Sequence, residues 1–154
     1  MKIISLISAI ILSTFNMLAQ NDLSLGIAAS PMTSSYGIAA SGDFKLISIG
    51  SKSHIGVGGI VCGLSRSDVD NQVTDKKSTD FYVAPQAGLH YNLTKDFDCF
   101  LKGGAGWVFS NRSKTGGFFS YNFAVGTSCY FSRIVGLRVA IGLPYSVIGV
   151  TFRL

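Results

Sequence analysis

Residues 119–131 read Phe-Ser-Tyr-Asn-Phe-Ala-Val-Gly-Thr-Ser-Cys-Tyr-Phe. Phe119, Tyr121, Phe123, Val125, Thr127, Cys129 and Phe131 supply one greasy side, while Ser120, Asn122, Ala124, Gly126, Ser128 and Tyr130 supply a smaller, more polar one. Successive side chains of an extended chain point to opposite faces, so this stretch predicts a strand that is apolar on one face only. The same two-residue beat recurs along nearly all of the chain beyond its first twenty residues. Its segments are long enough to cross a bilayer as tilted strands, which takes about 9–11 residues each.

Charged residues make up 14% of the 154-residue chain and hydrophobic ones 47%, with eighteen glycines and no glutamate. A soluble domain carries about a quarter charged residues. The apolar residues are not gathered into the runs of about 20 that a helical span requires. One concentrated apolar stretch exists, Lys2 followed by Ile3 to Leu12, with a small residue at Ala19. That layout predicts a cleaved secretory signal over 1–19 and a single mature domain over 20–154. The run is short for a membrane anchor, and no cysteine follows Ala19 to suggest a lipid-modified start. Loss of Lys2 takes the formal charge from +5 to +4, and the positive charge is scattered, which gives nucleic-acid binding no support.

Eight strands are expected, at 23–30, 36–49, 54–64, 80–93, 97–110, 118–131, 135–143 and 146–154. They predict an all-β fold, an eight-stranded antiparallel up-and-down transmembrane β-barrel. Short turns after the second, fourth and sixth strands fall on the side of the chain start, expected to be periplasmic. The longer connections fall outside. The longest, 65–79, carries Arg66, Asp68, Asp70, Asp75, Lys76 and Lys77 and is the expected contact site for an extracellular partner.

The face assigned to lipid carries no charge in any strand, from Leu23, Leu25 and Ile27 to Leu137, Val139 and Ile141. A Lys or Arg at the bilayer midplane costs about 2–4 kcal/mol, so this cleanness is informative. Charges within strands fall on the other face: Asp43, Lys45, Asp98, Lys102 and Arg138, with His54 and His90 beside them. Those seven are expected to form a polar network filling the lumen, because an isolated buried charge is costly. Aromatic residues gather near both strand ends, Trp107 and Tyr121 toward one rim and Tyr91 and Phe131 toward the other, as interfacial girdles do. Pro85 breaks the pattern, since it lacks a ladder donor. A bulge or a missing hydrogen bond is expected there.

The last strand alternates to its end through Ile148, Val150, Phe152 and Leu154. This resembles the C-terminal strand by which Gram-negative barrel-insertion machinery recognises its substrates. Taken with length and pattern, the mature chain resembles the small eight-stranded outer-membrane barrels represented by OmpX and the OmpA membrane domain, often labelled porin family. The resemblance implies a monomer in the outer membrane, surrounded by lipid. It covers the whole mature chain but rests on pattern, so it carries fold and location rather than activity.

The remaining chemistry is sparse. A fifth-to-sixth-strand hairpin centred near Lys114 would set Cys99 opposite Cys129, open to a disulfide, although two apolar wall residues are the preferred reading. A hairpin centred near Gln72 would set His54 level with His90, with Asn92 and Asp98 in the next row. Two imidazoles and a carboxylate are metal-ligand types, yet a packed interior explains them without a metal. The acidic residues of the 65–79 loop lack the closing glutamate and spacing of a calcium loop. No Gly-x-Ser-x-Gly elbow is present, and Gly103 to Gly106 sits inside a strand without the Lys-Ser/Thr of a phosphate loop. The expectation is therefore a membrane protein that is not an enzyme and holds no cofactor, with a structural or surface-interaction role. A narrow pore is the alternative. A lipid-modifying barrel enzyme and a soluble lipocalin-like binder, with its apolar face turned inward, stand behind it.

Overall fold

A computed structural model describes residues 21–31, 33–67, 77–111 and 117–154. The expected signal at 1–19, and Asp68, Asp70, Asp75 and Lys76 of the expected contact loop, lie outside the described residues. Eight strands follow one another: β1 (Asn21–Ser30), β2 (Ser35–Ile49), β3 (Ser53–Ser67), β4 (Lys77–Asn92), β5 (Phe97–Ser110), β6 (Phe118–Tyr130), β7 (Val135–Leu143) and β8 (Ser146–Arg153). Each pairs antiparallel with its chain neighbours, and β8 returns to β1 to close the barrel. Closure leaves no sheet edge, so each strand finds a ladder partner on both sides.

The period-2 pattern sorts the side chains as the sequence demands. Ile38 and Tyr121, each 75% exposed, stand on the outer wall with Leu25, Leu101, Phe123 and Ile141. Among the described side chains, none on the outer face of a strand is charged. The lumen has two storeys. Toward the rim with the long β3–β4 connection, Ala28, Ala39, Ile60, Cys62, Leu64, Tyr82, Ala84, Val108 and Tyr145 form a buried apolar cluster. Toward the rim where β1 begins and β8 ends, the interior is polar: Ser24, Asp43, His90, Asp98, Lys102, Ser128, Arg138 and Thr151 are all buried.

Two local departures from strict alternation have clear causes. Between Lys45 and Ile47 the β2–β3 register slips, leaving Leu46 as the extra residue of a bulge. The slip turns Ile47 and Ile49 outward, at 55% and 52% exposure, where counting from Asp43 would put them inside. It keeps two isoleucines out of a polar lumen. At Pro85 the β4–β5 ladder steps from Val83↔Trp107 directly to Gln86↔Gly104 with no change of register. The outcome is a missing rung rather than a bulge. A smaller correction concerns Arg66 and Lys77, which lie within β3 and β4, opposite Ser78 and Ser67, instead of in the loop.

Some glycines are dictated by strand crowding. A Cβ on Gly58 would collide with the Gly42 carbonyl oxygen across the β2–β3 ladder, whereas one on Gly42 would meet nothing closer than the edge of Phe44, at 4.0 Å. Replacing Gly58 with Ala should therefore destabilise the barrel by about 1–3 kcal/mol, the usual cost of overpacking. Gly42→Ala should stay within about 0.5 kcal/mol of the parent. Denaturant unfolding of the refolded barrel in vesicles compares the two, and equal midpoints would refute the crowding.

Candidate functional site

The polar storey is built from inward positions on seven strands. Asp43 on β2 meets Lys102 of β5 and Arg138 of β7 across the lumen, although they are 59 and 95 residues away in sequence. Lys102 Nζ donates to Asp43 Oδ2, and Arg138 Nη1 lies 2.8 Å from the same oxygen. Arg138 Nη1 also donates to Ser24 Oγ at 2.7 Å, and Ser24 donates onward to Thr151 Oγ1 at 3.0 Å. Two cations thus share one carboxylate. The Phe100 ring offers its negative face to both, with Lys102 Nζ 4.7 Å and Arg138 Cζ 4.4 Å from its centroid. Such a cation–π contact contributes most where the cation is desolvated.

A second cluster lies toward the terminal rim. His90 and Asp98, 2% and 3% exposed, share a hydrogen bond of 2.8 Å between Nδ1 and Oδ2. His54 stands directly opposite His90 in the β3–β4 ladder, and Asn92 opposite Asp98 in the β4–β5 ladder, at the heights the sequence suggested. The two imidazoles stack, with centroids 4.7 Å apart and planes 16° apart, so the rings meet face to face. Among the described residues, no group of three His, Cys, Asp or Glu side chains is placed to hold a metal ion. Lys45 points to the mouth, half-buried, and forms no ion pair with a described residue, so it stands apart from the Asp43 cluster.

The apolar storey is closed by a polar clasp. Gln86 Nε2 donates to Asn122 Oδ1 at 3.1 Å, and Asn122 Nδ2 donates to the Tyr82 hydroxyl at 2.8 Å. Tyr145 packs against Tyr82 with centroids 5.4 Å apart. Alternation assigns Gln86 and Asn122 to the inner face, but their partners were not readable from it. Tyr145 was missed entirely. It follows Pro144 in what reads as a turn, and nothing local marks it as buried.

The cysteine pairing needs correction. The β5–β6 register sets Cys99 opposite Thr127 and Cys129 opposite Phe97, so the two cysteines are diagonal neighbours, and both are free thiols. Diagonal positions sit about 7–8 Å apart, beyond disulfide reach. Cys62 is free and buried in the apolar storey. At the C-terminal strand, Ile148 pairs with Ile27, Val150 with Leu25 and Phe152 with Leu23, while the Leu154 amide donates to the Asn21 carbonyl at 2.7 Å. The closing seam is thus made by the residues that carried the expected insertion signal.

Removing one member of a buried ion cluster leaves the others uncompensated. Asp43→Ala should lower stability by about 3–5 kcal/mol, while the triple change Asp43→Leu, Lys102→Met and Arg138→Met should recover most of that loss. Denaturant midpoints in the same vesicles read the difference. A triple variant no more stable than the single one would contradict the cluster.

The chain matches no protein-family model and none of the curated proteins. Solved structures do resemble it. Ail, the attachment invasion locus protein of Yersinia pestis, aligns with a TM-score of 0.58 over 90% of this chain and 100% of its own, at 13% identity. Its complex with the heparin analogue sucrose octasulfate gives 0.61 over the same shares, at 14% identity. A designed transmembrane β-barrel gives 0.59 over 90% of this chain and 98% of its own, at 11% identity. At such identities the likeness concerns the fold, which is that of a closed, eight-stranded transmembrane β-barrel.

Proposed function

We propose that the chain is a monomeric outer-membrane barrel of a Gram-negative bacterium, exported by a cleaved signal. In this reading its C-terminal strand is recognised by the insertion machinery, and it acts as a structural or surface-interaction protein rather than an enzyme or pore. The observation that carries this reading is the filled lumen. Ile60, Leu64, Tyr82, Val108 and Tyr145 pack one storey, and the Asp43–Lys102–Arg138 cluster crosses the other. Eight strands enclose only enough space for side chains to fill, so solute passage is not favoured. The His90–Asp98 pair is sealed in the interior, out of reach of a lipid substrate at the surface.

Contact with the surroundings then falls to the external connections, foremost the one between β3 and β4, within the stretch 65–79. A neighbour in fold binds a heparin analogue. Here Arg66, Lys76 and Lys77 are balanced by Asp68, Asp70 and Asp75, which does not suit a polysulfated ligand and favours a partner of mixed charge.

Two measurements test this. Refolded protein in a planar bilayer should be electrically silent, and steady ion-dependent conductance steps would favour the pore. Trypsin added to intact cells should cut at Lys76 or Lys77 and leave the barrel whole. Protection of that loop on intact cells, with cleavage after lysis, would refute its external placement.

A further inference from the structure

We infer that the mouth at the rim where β1 begins and β8 ends is a binding site for a phosphate group, supplied by the headgroup of an anionic phospholipid in the adjoining leaflet. The inference rests on the membrane reading above and adds a ligand to it. A cavity of about 610 Å³ opens at that rim, and Lys45, Lys52, Lys95 and Arg153 line it without any carboxylate. Deeper in the lumen each of these groups has a carboxylate beside it: Lys102 and Arg138 share Asp43, and His90 lies against Asp98. At the mouth, Asp22 lies 3.9 Å from Arg153. Lys45, Lys52 and Lys95 have no such partner among the described residues. Three unmatched cations around one space favour an anion from outside the chain.

The wall is organised for such a ligand. Arg153 stacks on the Tyr130 ring at 3.7 Å and donates from Nη1 to the Lys95 carbonyl at 3.3 Å. Its planar fork is therefore held in place, which suits the recognition of phosphate oxygens. Asn92, also in the lining, adds a neutral amide. The cavity also sits at the right depth. Leu46, Ile47, Ile49 and Leu93 are exposed around the same rim, and the β2 bulge is what turns Ile47 outward while Lys45 stays in the mouth. An apolar collar beside a basic cavity matches acyl chains beside their headgroups.

The test uses the mature chain refolded in micelles containing equal amounts of phosphatidylglycerol and phosphatidylcholine, with retained lipid read by native mass spectrometry. Phosphatidylglycerol should be retained about a hundredfold over phosphatidylcholine, with each of the three lysines contributing about fivefold. The variant K45Q/K52Q/K95Q should bring the ratio close to one, and K45R/K52R/K95R should preserve it. Should the triple variant fail to fold, Lys52→Gln and Lys95→Gln serve singly, since both lie in exposed turns. Equal retention of the two lipids by the parent, or an unchanged ratio in the glutamine variants, overturns the site. Displacement of the lipid by millimolar inorganic phosphate would overturn the lipid source, with the free ion as ligand instead. Heat-modifiable migration on a detergent gel, recorded for every sample, reports barrel formation separately. A parent chain that shows no such shift would strike the membrane reading rather than the lipid preference.

Discussion

Backbone hydrogen bonding inside hydrocarbon is the constraint from which the rest follows. No water is available there to satisfy an unpaired amide or carbonyl, so a sheet that crosses a bilayer must close on itself. The β1–β8 seam performs that closure, from Asp22↔Arg153 through Leu25↔Val150 to Ala29↔Ser146. Once the sheet is closed, each strand has an inner and an outer face, and the two-residue alternation decides what each meets. Leu25, Ile38, Leu101, Phe123 and Ile141 face out, and every buried charge faces in.

Charge inside a narrow barrel brings its own requirement. Asp43, Lys102 and Arg138 come from three strands and meet above the Phe100 ring, so the cluster joins β2, β5 and β7 across the lumen. In the apolar storey above it, the Gln86–Asn122–Tyr82 clasp joins β4 to β6. Cross-linking and filling arise together here, because the groups that tie opposite walls also occupy the space between them.

Most of the architecture was legible in the sequence because it depends on a period of two, which local pattern reveals. Strands β5 and β7 begin and end where alternation put them, and the His54–His90 pairing follows from hairpin symmetry. What escaped depends on register changes and long-range partners. The bulge at Leu46 reversed the facing of Ile47 and Ile49, and one residue of hairpin centring separated Cys99 from Cys129. Tyr145 was hidden because a turn residue becomes buried only when the opposite wall, at Tyr82, is there to receive it. The basic mouth was equally invisible, since Lys45, Lys52, Lys95 and Arg153 come from four separate segments.

Lipid outside and charge inside is the central claim, and the single tryptophan reports on it directly. Trp107 is 54% exposed on the outer wall, edge-on to Phe119 at 5.6 Å. In vesicles containing phospholipids brominated on their acyl chains, its fluorescence should be blue-shifted and strongly quenched, while aqueous acrylamide should have little effect. Ready quenching by acrylamide with no response to the brominated chains would place that face in water and contradict the transmembrane barrel.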